Sequence, residues 1–177
     1  MAELNGRKIA YYGYTGAIDS NGASRNGAAL NAAVKDRCDE VQLCISSFGG
    51  YVSDGIYLYN PTRGLPLRVV AHKTGSVTTI AVAVFLAAHE RYCSSLGMFM
   101  IHPTVMSSKD GMSAQRLQSS LDSALADDHR TENILRERAA IPEEILTARR
   151  FKDVYITPNE AVIYGLVHGV KEFALPN

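Results

Sequence analysis

The stretch Thr74-Gly75-Ser76-Val77-Thr78-Thr79 followed by Ile80 to Ala88 constrains the fold more than any other part of the chain. A β-prone run at residues 67–71 leads into Gly75 and small hydroxylated residues, and the apolar run that follows meets no charge before His89-Glu90. That order predicts a strand, a tight turn and a helix of about three turns apolar on every side, which a chain can only place between other elements. A hydroxyl at such a junction is held rigidly beside unpaired helix N–H groups and can be aimed at a carbonyl carbon. The same Ser/Thr cluster equally suits ordinary helix capping.

The unit occurs twice. Residues 40–46 alternate with Val41, Leu43 and Ile45 apolar, end in Ser47-Phe48-Gly49-Gly50, and are followed by a helical pattern with Val52, Ile56 and Tyr59 on one face until Pro61. Two consecutive strand-turn-helix units imply a parallel sheet with both turns at one end, so backbone groups of the first turn can lie beside a side chain of the second. Around them, residues 8–12 read as a first strand, 14–24 as a loop and 25–35 as a helix with an alanine face. Residues 90–93 and 98–101 read as short strands. Residues 113–138 form one long polar helix with Leu117, Leu121, Leu125 and Ile134 or Leu135 at spacings of three and four. That stripe is narrow and suits either its own domain or a second subunit. Pro142 opens a short helix reaching Arg150, Thr157-Pro158-Asn159-Glu160 is a capping box closed by Gly165, and residues 166–170 read as a last strand. With no linker or low-complexity segment, residues 1–177 are expected to be a single α/β domain, long enough to bury roughly 70% of its unfolded surface.

Lysine plus arginine number 18 and aspartate plus glutamate 18, with no long run of either sign, so neither nucleic acid nor an anionic membrane is an expected partner. Cys38, Cys44 and Cys93 form no Cys-x-x-Cys pair and read as buried reduced thiols of a cytoplasmic protein. The first residues lack an apolar signal core, and the run at residues 77–88 is too short to cross a bilayer. No phosphate loop, dinucleotide fingerprint or zinc helix is present, and no metal or bound organic cofactor is expected. Among the histidines, His72 and His168 sit at strand-like edges and His89 and His129 in polar helical contexts, whereas His102 directly follows the apolar Met98-Phe99-Met100-Ile101. Asp153 lies between Phe151-Lys152 and Val154-Tyr155. Singly, His102 reads as a core histidine and Asp153 as half of a surface ion pair.

Jointly they resemble the proteolytic subunit of the Clp protease, within the wider crotonase-like fold. Ser46-Ser47-Phe48-Gly49-Gly50 resembles that family's Asn-Ser-Pro-Gly-Gly turn, and Gly75-Ser76-Val77-Thr78-Thr79-Ile80 its Gly-x-Ala-Ala-Ser-Met nucleophile turn. Met100-Ile101-His102 matches Met-Ile-His, and Lys152-Asp153, Thr157-Pro158-Asn159-Glu160-Ala161 and Tyr164-Gly165-Leu166-Val167 follow in the family's order. The resemblance implies a crotonase-like α/β fold of repeated strand-turn-helix units with a protruding handle helix at about residues 113–138. It implies Thr79 as nucleophile, His102 as general base, Asp153 as the residue orienting it, and the N–H groups of Gly50 and Ile80 as the oxyanion hole, a serine-type endopeptidase chemistry. It further implies a homo-oligomer of stacked, heptameric rings that hydrolyses peptide or unfolded protein substrate, any ATP dependence coming from a partner AAA+ unfoldase.

Four departures stand out. Threonine replaces the family's serine, and its extra methyl restricts χ1; Ser76, three residues earlier, is an alternative hydroxyl. Lys152 replaces an arginine whose planar fork it cannot reproduce. Pro103-Thr104-Val105-Met106-Ser107-Ser108-Lys109-Asp110 lacks the glycine pair of the family's substrate-binding strand. The chain begins almost at its first strand, so coupling to an unfoldase through an N-terminal pore segment is not expected. Two rival readings follow: a non-catalytic ring-forming subunit, and an acyl-CoA enzyme of the crotonase type that uses an oxyanion hole without a nucleophile.

Overall fold

The computed structural model describes residues 2–4, 6–107 and 110–174. Of the stretches read above, Met1 and Asn5 at the N-terminus and Ser108-Lys109 after His102 lie outside them. The chain runs β1 (Ala2–Leu4), β2 (Arg7–Thr15), α1 (Ser20–Lys35), β3 (Glu40–Ser47), α2 (Val52–Arg63), β4 (Arg68–Thr78), α3 (Ile80–Leu86), β5 (Glu90–Cys93), β6 (Phe99–Ile101), α4 (Ala114–Arg138), α5 (Glu143–Ala148), β7 (Val154–Ile156), α6 (Pro158–Ile163) and β8 (Gly169–Val170). The strands form one mixed sheet in the order β1-β2-β3-β4-β5-β8, parallel from β2 to β8, with β1 antiparallel at the edge. β6 adds to the far end of β4 in parallel and carries β7 antiparallel on its other side.

Period-two patterning divides the two faces. In β3, Val41, Leu43 and Ile45 are buried within the single continuous core shared with α1, α2 and α3, while Gln42, Cys44 and Ser46 are half-buried on the other face. On that second face Glu40, 4% exposed, is held by Arg7 at 2.9 Å and Arg68 at 3.0 Å, and Arg68 also pairs with Glu90. Every residue of α3 is buried, as an apolar run flanked by α2 and α4 requires.

Several boundaries differ from the sequence reading. α1 starts at Ser20, capped by Asp19, so the segment read as a loop is mostly strand end and helix start. α2 continues through Pro61 to Arg63, because buried Tyr59 and Thr62 anchor its last turn and the Gly64 N–H caps the carbonyls of Asn60 and Pro61. β4 runs on through Gly75, which is no turn: a Cβ there would lie 2.2 Å from Ser46 Oγ, so glycine lets β3 and β4 approach where their register shifts. Lys73 Nζ donates to the Gly75 carbonyl across that irregularity. α3 is shorter than the run of about three turns, starting at Ile80 and closing at Leu86 with Ala87 as its C-cap. His72 lies inside β4 and is buried rather than at an edge, Cys44 is half-buried rather than buried, β7 was not anticipated, and the last strand is only Gly169–Val170.

Candidate active site

β4 ends at Thr78 and α3 begins at Ile80, leaving Thr79 alone at the corner with φ 52° and ψ −130°. A β-branched residue rarely adopts positive φ, and such a strained strand-to-helix corner turns a side chain out from the end of a sheet. The corner is fixed from both sides. Thr79 N–H donates to Met100 O of β6 at 2.8 Å, and a Cβ on Gly49 would lie 1.9 Å from Thr79 Cγ2, so the methyl group sits in the space that Gly49 leaves empty. Gly49, at φ 93°, could not take a side chain without strain in any case.

The same turn presents Gly50. Ile18 N–H donates to Gly49 O and Ile18 O accepts from Tyr51 N–H, both at 2.8 Å, forming a parallel bridge to Gly50. In that geometry the N–H of Gly50 itself faces away from Ile18, and it has no acceptor among the described residues. A Cβ on Gly50 would stand 2.1 Å from Ile18 O, which makes glycine obligatory at this bridge. Ile80, the first residue of α3, likewise has an N–H without an acceptor among the described residues.

β6 delivers His102 one residue past Ile101. Its Nδ1 bonds the carbonyl of Pro103; a carbonyl only accepts, so Nδ1 carries the proton and Nε2 keeps the lone pair. Gly50, Thr79, Ile80 and His102 line one cleft of about 350 Å³. Asp153 is not among its lining residues and is exposed. The β6–β7 register pairs Phe99 with Ile156, Met100 with Tyr155 and Ile101 with Val154, and the ladder ends there; continued by one step, it would set His102 opposite Asp153. Residues opposite each other in such a ladder point their side chains to the same face. No hydrogen bond joins His102 to Asp153 or to Thr79 among the described residues.

Ser76, the alternative hydroxyl, lines a different hollow with Lys73, Gly97 and Met98. Sequence reasoning passed over Asp127, Thr131 and Arg149, which complete the cleft from α4 and the end of α5. The Asp127-Asp128 and Arg149-Arg150 pairs, opposite in sign, were the available signal. Among the described residues no three His, Cys, Asp or Glu side chains gather as a metal centre would require, and no helix is long and apolar enough to cross a membrane.

Comparison with known proteins agrees with this fold. A family model described as Clp protease matches residues 4–173. The ATP-dependent Clp protease proteolytic subunit 2 of Pseudomonas aeruginosa is 24% identical over 170 residues, a span covering 92% of this chain and 83% of that protein.

Proposed function

The chain belongs to the Clp protease family, and from that premise we propose that it is a subunit of a self-compartmentalising endopeptidase in which Thr79 is the nucleophile, His102 the general base, Asp153 its orienting carboxylate, and the N–H groups of Gly50 and Ile80 the oxyanion hole. The observation that carries the reading is the convergence of Thr79 and His102 in one cleft with two main-chain N–H groups that have no other acceptor. His102 Nε2, the nitrogen with the lone pair, takes the proton of Thr79 Oγ1 as it attacks a peptide carbonyl. The oxyanion that forms is stabilised by donors already held in place by the Ile18 bridge and the α3 corner, and the imidazolium returns its proton to the leaving amine. Pro103 O supports the required tautomer in the isolated chain, and the position of Asp153, immediately before the β7 residue that pairs with Ile101, supports its replacing or joining that carbonyl in the working state. Residues 1–177 act as one domain, the homo-oligomer is two stacked, heptameric rings in the cytoplasm, and its substrates are peptides or unfolded protein.

The absence of a hydrogen bond from His102 to Thr79, together with the exposure of Asp153, favours the rival in which the subunit builds a ring without turnover. A fluorophosphonate probe separates the two. The catalytic reading expects a covalent adduct mapped to Thr79, lost in His102→Ala, and peptide hydrolysis by the chain or by Thr79→Ser. Intact rings with no adduct on either form would leave the scaffold.

A further inference from the structure

β6 ends at Ile101, so the segment that carries His102 has left the sheet. Among the described residues, those from 102 to 107 make two hydrogen bonds, and both belong to the peptide group between Pro103 and Thr104. Its carbonyl accepts from His102 Nδ1–H, and its N–H donates to Asp128 Oδ1 of α4 at 2.7 Å. That peptide is trans and planar, with N–H and C=O pointing in opposite directions, so holding the N–H sets the direction of the carbonyl. The Asp128 carboxylate is itself anchored. The same oxygen accepts from Arg149 at 3.3 Å, and Arg149, 1% exposed, also reaches Glu132 at 3.5 Å. Asp153, by contrast, is exposed and makes no hydrogen bond to His102 among the described residues.

We propose that Asp128 is a positioning residue for His102: acting through the peptide of Pro103 and Thr104, its carboxylate holds the imidazole in the tautomer that leaves the Nε2 lone pair free. A carboxylate accepting from the N–H polarises the peptide and strengthens the bond that its carbonyl accepts. The chain of carboxylate, peptide and imidazole therefore does at one remove what a directly bonded carboxylate does for a general base. The functional meaning rests on the reading of His102 as that base, whereas the tautomer is measured with no turnover at all.

The test is nitrogen NMR of the chain carrying isotopically labelled histidine, at about two pH units above the ordinary imidazole value, where protonated and bare ring nitrogens are told apart by chemical shift. The expected result is a His102 signal of the Nδ1–H form. In Asp128→Ala, and in Thr104→Pro, which removes the N–H and leaves the Asp128–Arg149 pair in place, the ratio of Nδ1–H to Nε2–H falls about tenfold, the worth of one hydrogen bond. Asp128→Asn keeps an oxygen that accepts from Thr104 and stays within about threefold of the parent. Glu132→Gln alters the Arg149 contacts without touching Thr104 and leaves the ratio as it was. Should Asp128→Ala not fold, Thr104→Pro decides. An unmoved ratio in Thr104→Pro, or an equal fall in Glu132→Gln, overturns the proposal, as does a fall in Asp153→Ala with none in Thr104→Pro, which would give the orienting role to Asp153 alone. Fluorophosphonate labelling of the same variants keeps the two readings apart. A tautomer governed by Asp128 with no adduct on the chain or on Thr79→Ser upholds the proposal and removes the protease reading; an adduct formed at undiminished rate in Thr104→Pro, with the tautomer unmoved, does the reverse.

Discussion

A threonine at φ 52° is an unfavourable place to put a β-branched residue, and nothing about folding requires one at position 79. The strain, of the order of 1–3 kcal/mol, is offset by the methyl seated over Gly49 and by the Met100 hydrogen bond, and its product is a hydroxylated residue on the wall of the cleft. Glycine accepts the same backbone freely and keeps the N–H that reaches Met100. Thr79→Gly is therefore expected to raise the thermal midpoint by about 2–4 °C while abolishing covalent labelling, and a lower midpoint by calorimetry would show that the corner is relaxed. At this scale the sequence was informative where a residue's role depends on its immediate neighbours. Gly49-Gly50 announced itself through local chain geometry, whereas the Thr79 corner did not: the local pattern pointed to a turn at Gly75, and only the family resemblance singled out Thr79. Arg149 did not either, because its meaning comes from Asp128 and Glu132 on a helix some twenty residues away. Nor could sequence alone show that His102 would bond to its own neighbour's carbonyl.

Among the elements, the base of α4 is fixed by charge. Glu132, 7% exposed, accepts from Arg136 at 2.8 Å and Arg150 at 2.8 Å and lies 3.5 Å from Arg149. The Arg150 guanidinium, seconded by Arg136, holds the Glu132 carboxyl at about 2, against the burial that pushes it upward. The folded value is below the unfolded one, so the unfolded chain binds the extra proton. The stabilisation is complete above the ordinary carboxylate range and is lost as pH falls from about 4.5 through about 2. Because Arg136 and Arg150 are 41% and 48% exposed, solvent screening reduces the contribution to about 1–2 kcal/mol. Glu132→Gln is expected to lose that amount at pH 7 by urea unfolding and to show a shallower decline than the parent between about pH 4.5 and 2; parallel curves would remove Glu132 from the account. Nearby, buried Arg91 donates to carbonyls of Ala88, Gly165 and Leu166, and Arg138 donates to those of Leu86 and Ala88, so two guanidiniums meet the carbonyl ends of α3 and α6. Burial pulls Arg91 down to about 10, still charged at neutral pH. Elements whose ends are defined locally were legible: the Thr157 and Glu160 capping box formed as read. Those whose extent is decided by packing were not, as the run of α2 through Pro61 and of β4 through Gly75 shows.

For the whole molecule, the decisive feature is what α4 leaves uncovered. The helix is 25 residues, about 37 Å long, and among its described residues only Glu132, Ile134 and Leu135 near its end are buried. Leu117, Leu121 and Leu125, spaced four apart on one face, stay 44%, 45% and 48% exposed, and Val105 is 78% exposed beside the groove that α4 forms with residues 104–106. Of the two fates the sequence allowed this stripe, packing on its own domain is therefore not the one adopted within the chain. A row of half-exposed leucines on a projecting helix is stable in water chiefly when another apolar surface covers it, and a second copy offers the same row in a self-complementary, two-fold arrangement. Replacing Leu121 and Leu125 together with aspartate puts four like charges into such a two-fold contact while touching no core residue. The double variant is expected to keep its circular dichroism and thermal midpoint but to run at half the particle mass by light scattering, because paired rings would separate into single ones. A particle of undiminished mass would place the ring-to-ring contact elsewhere and leave the leucine row as simple solvent-facing surface.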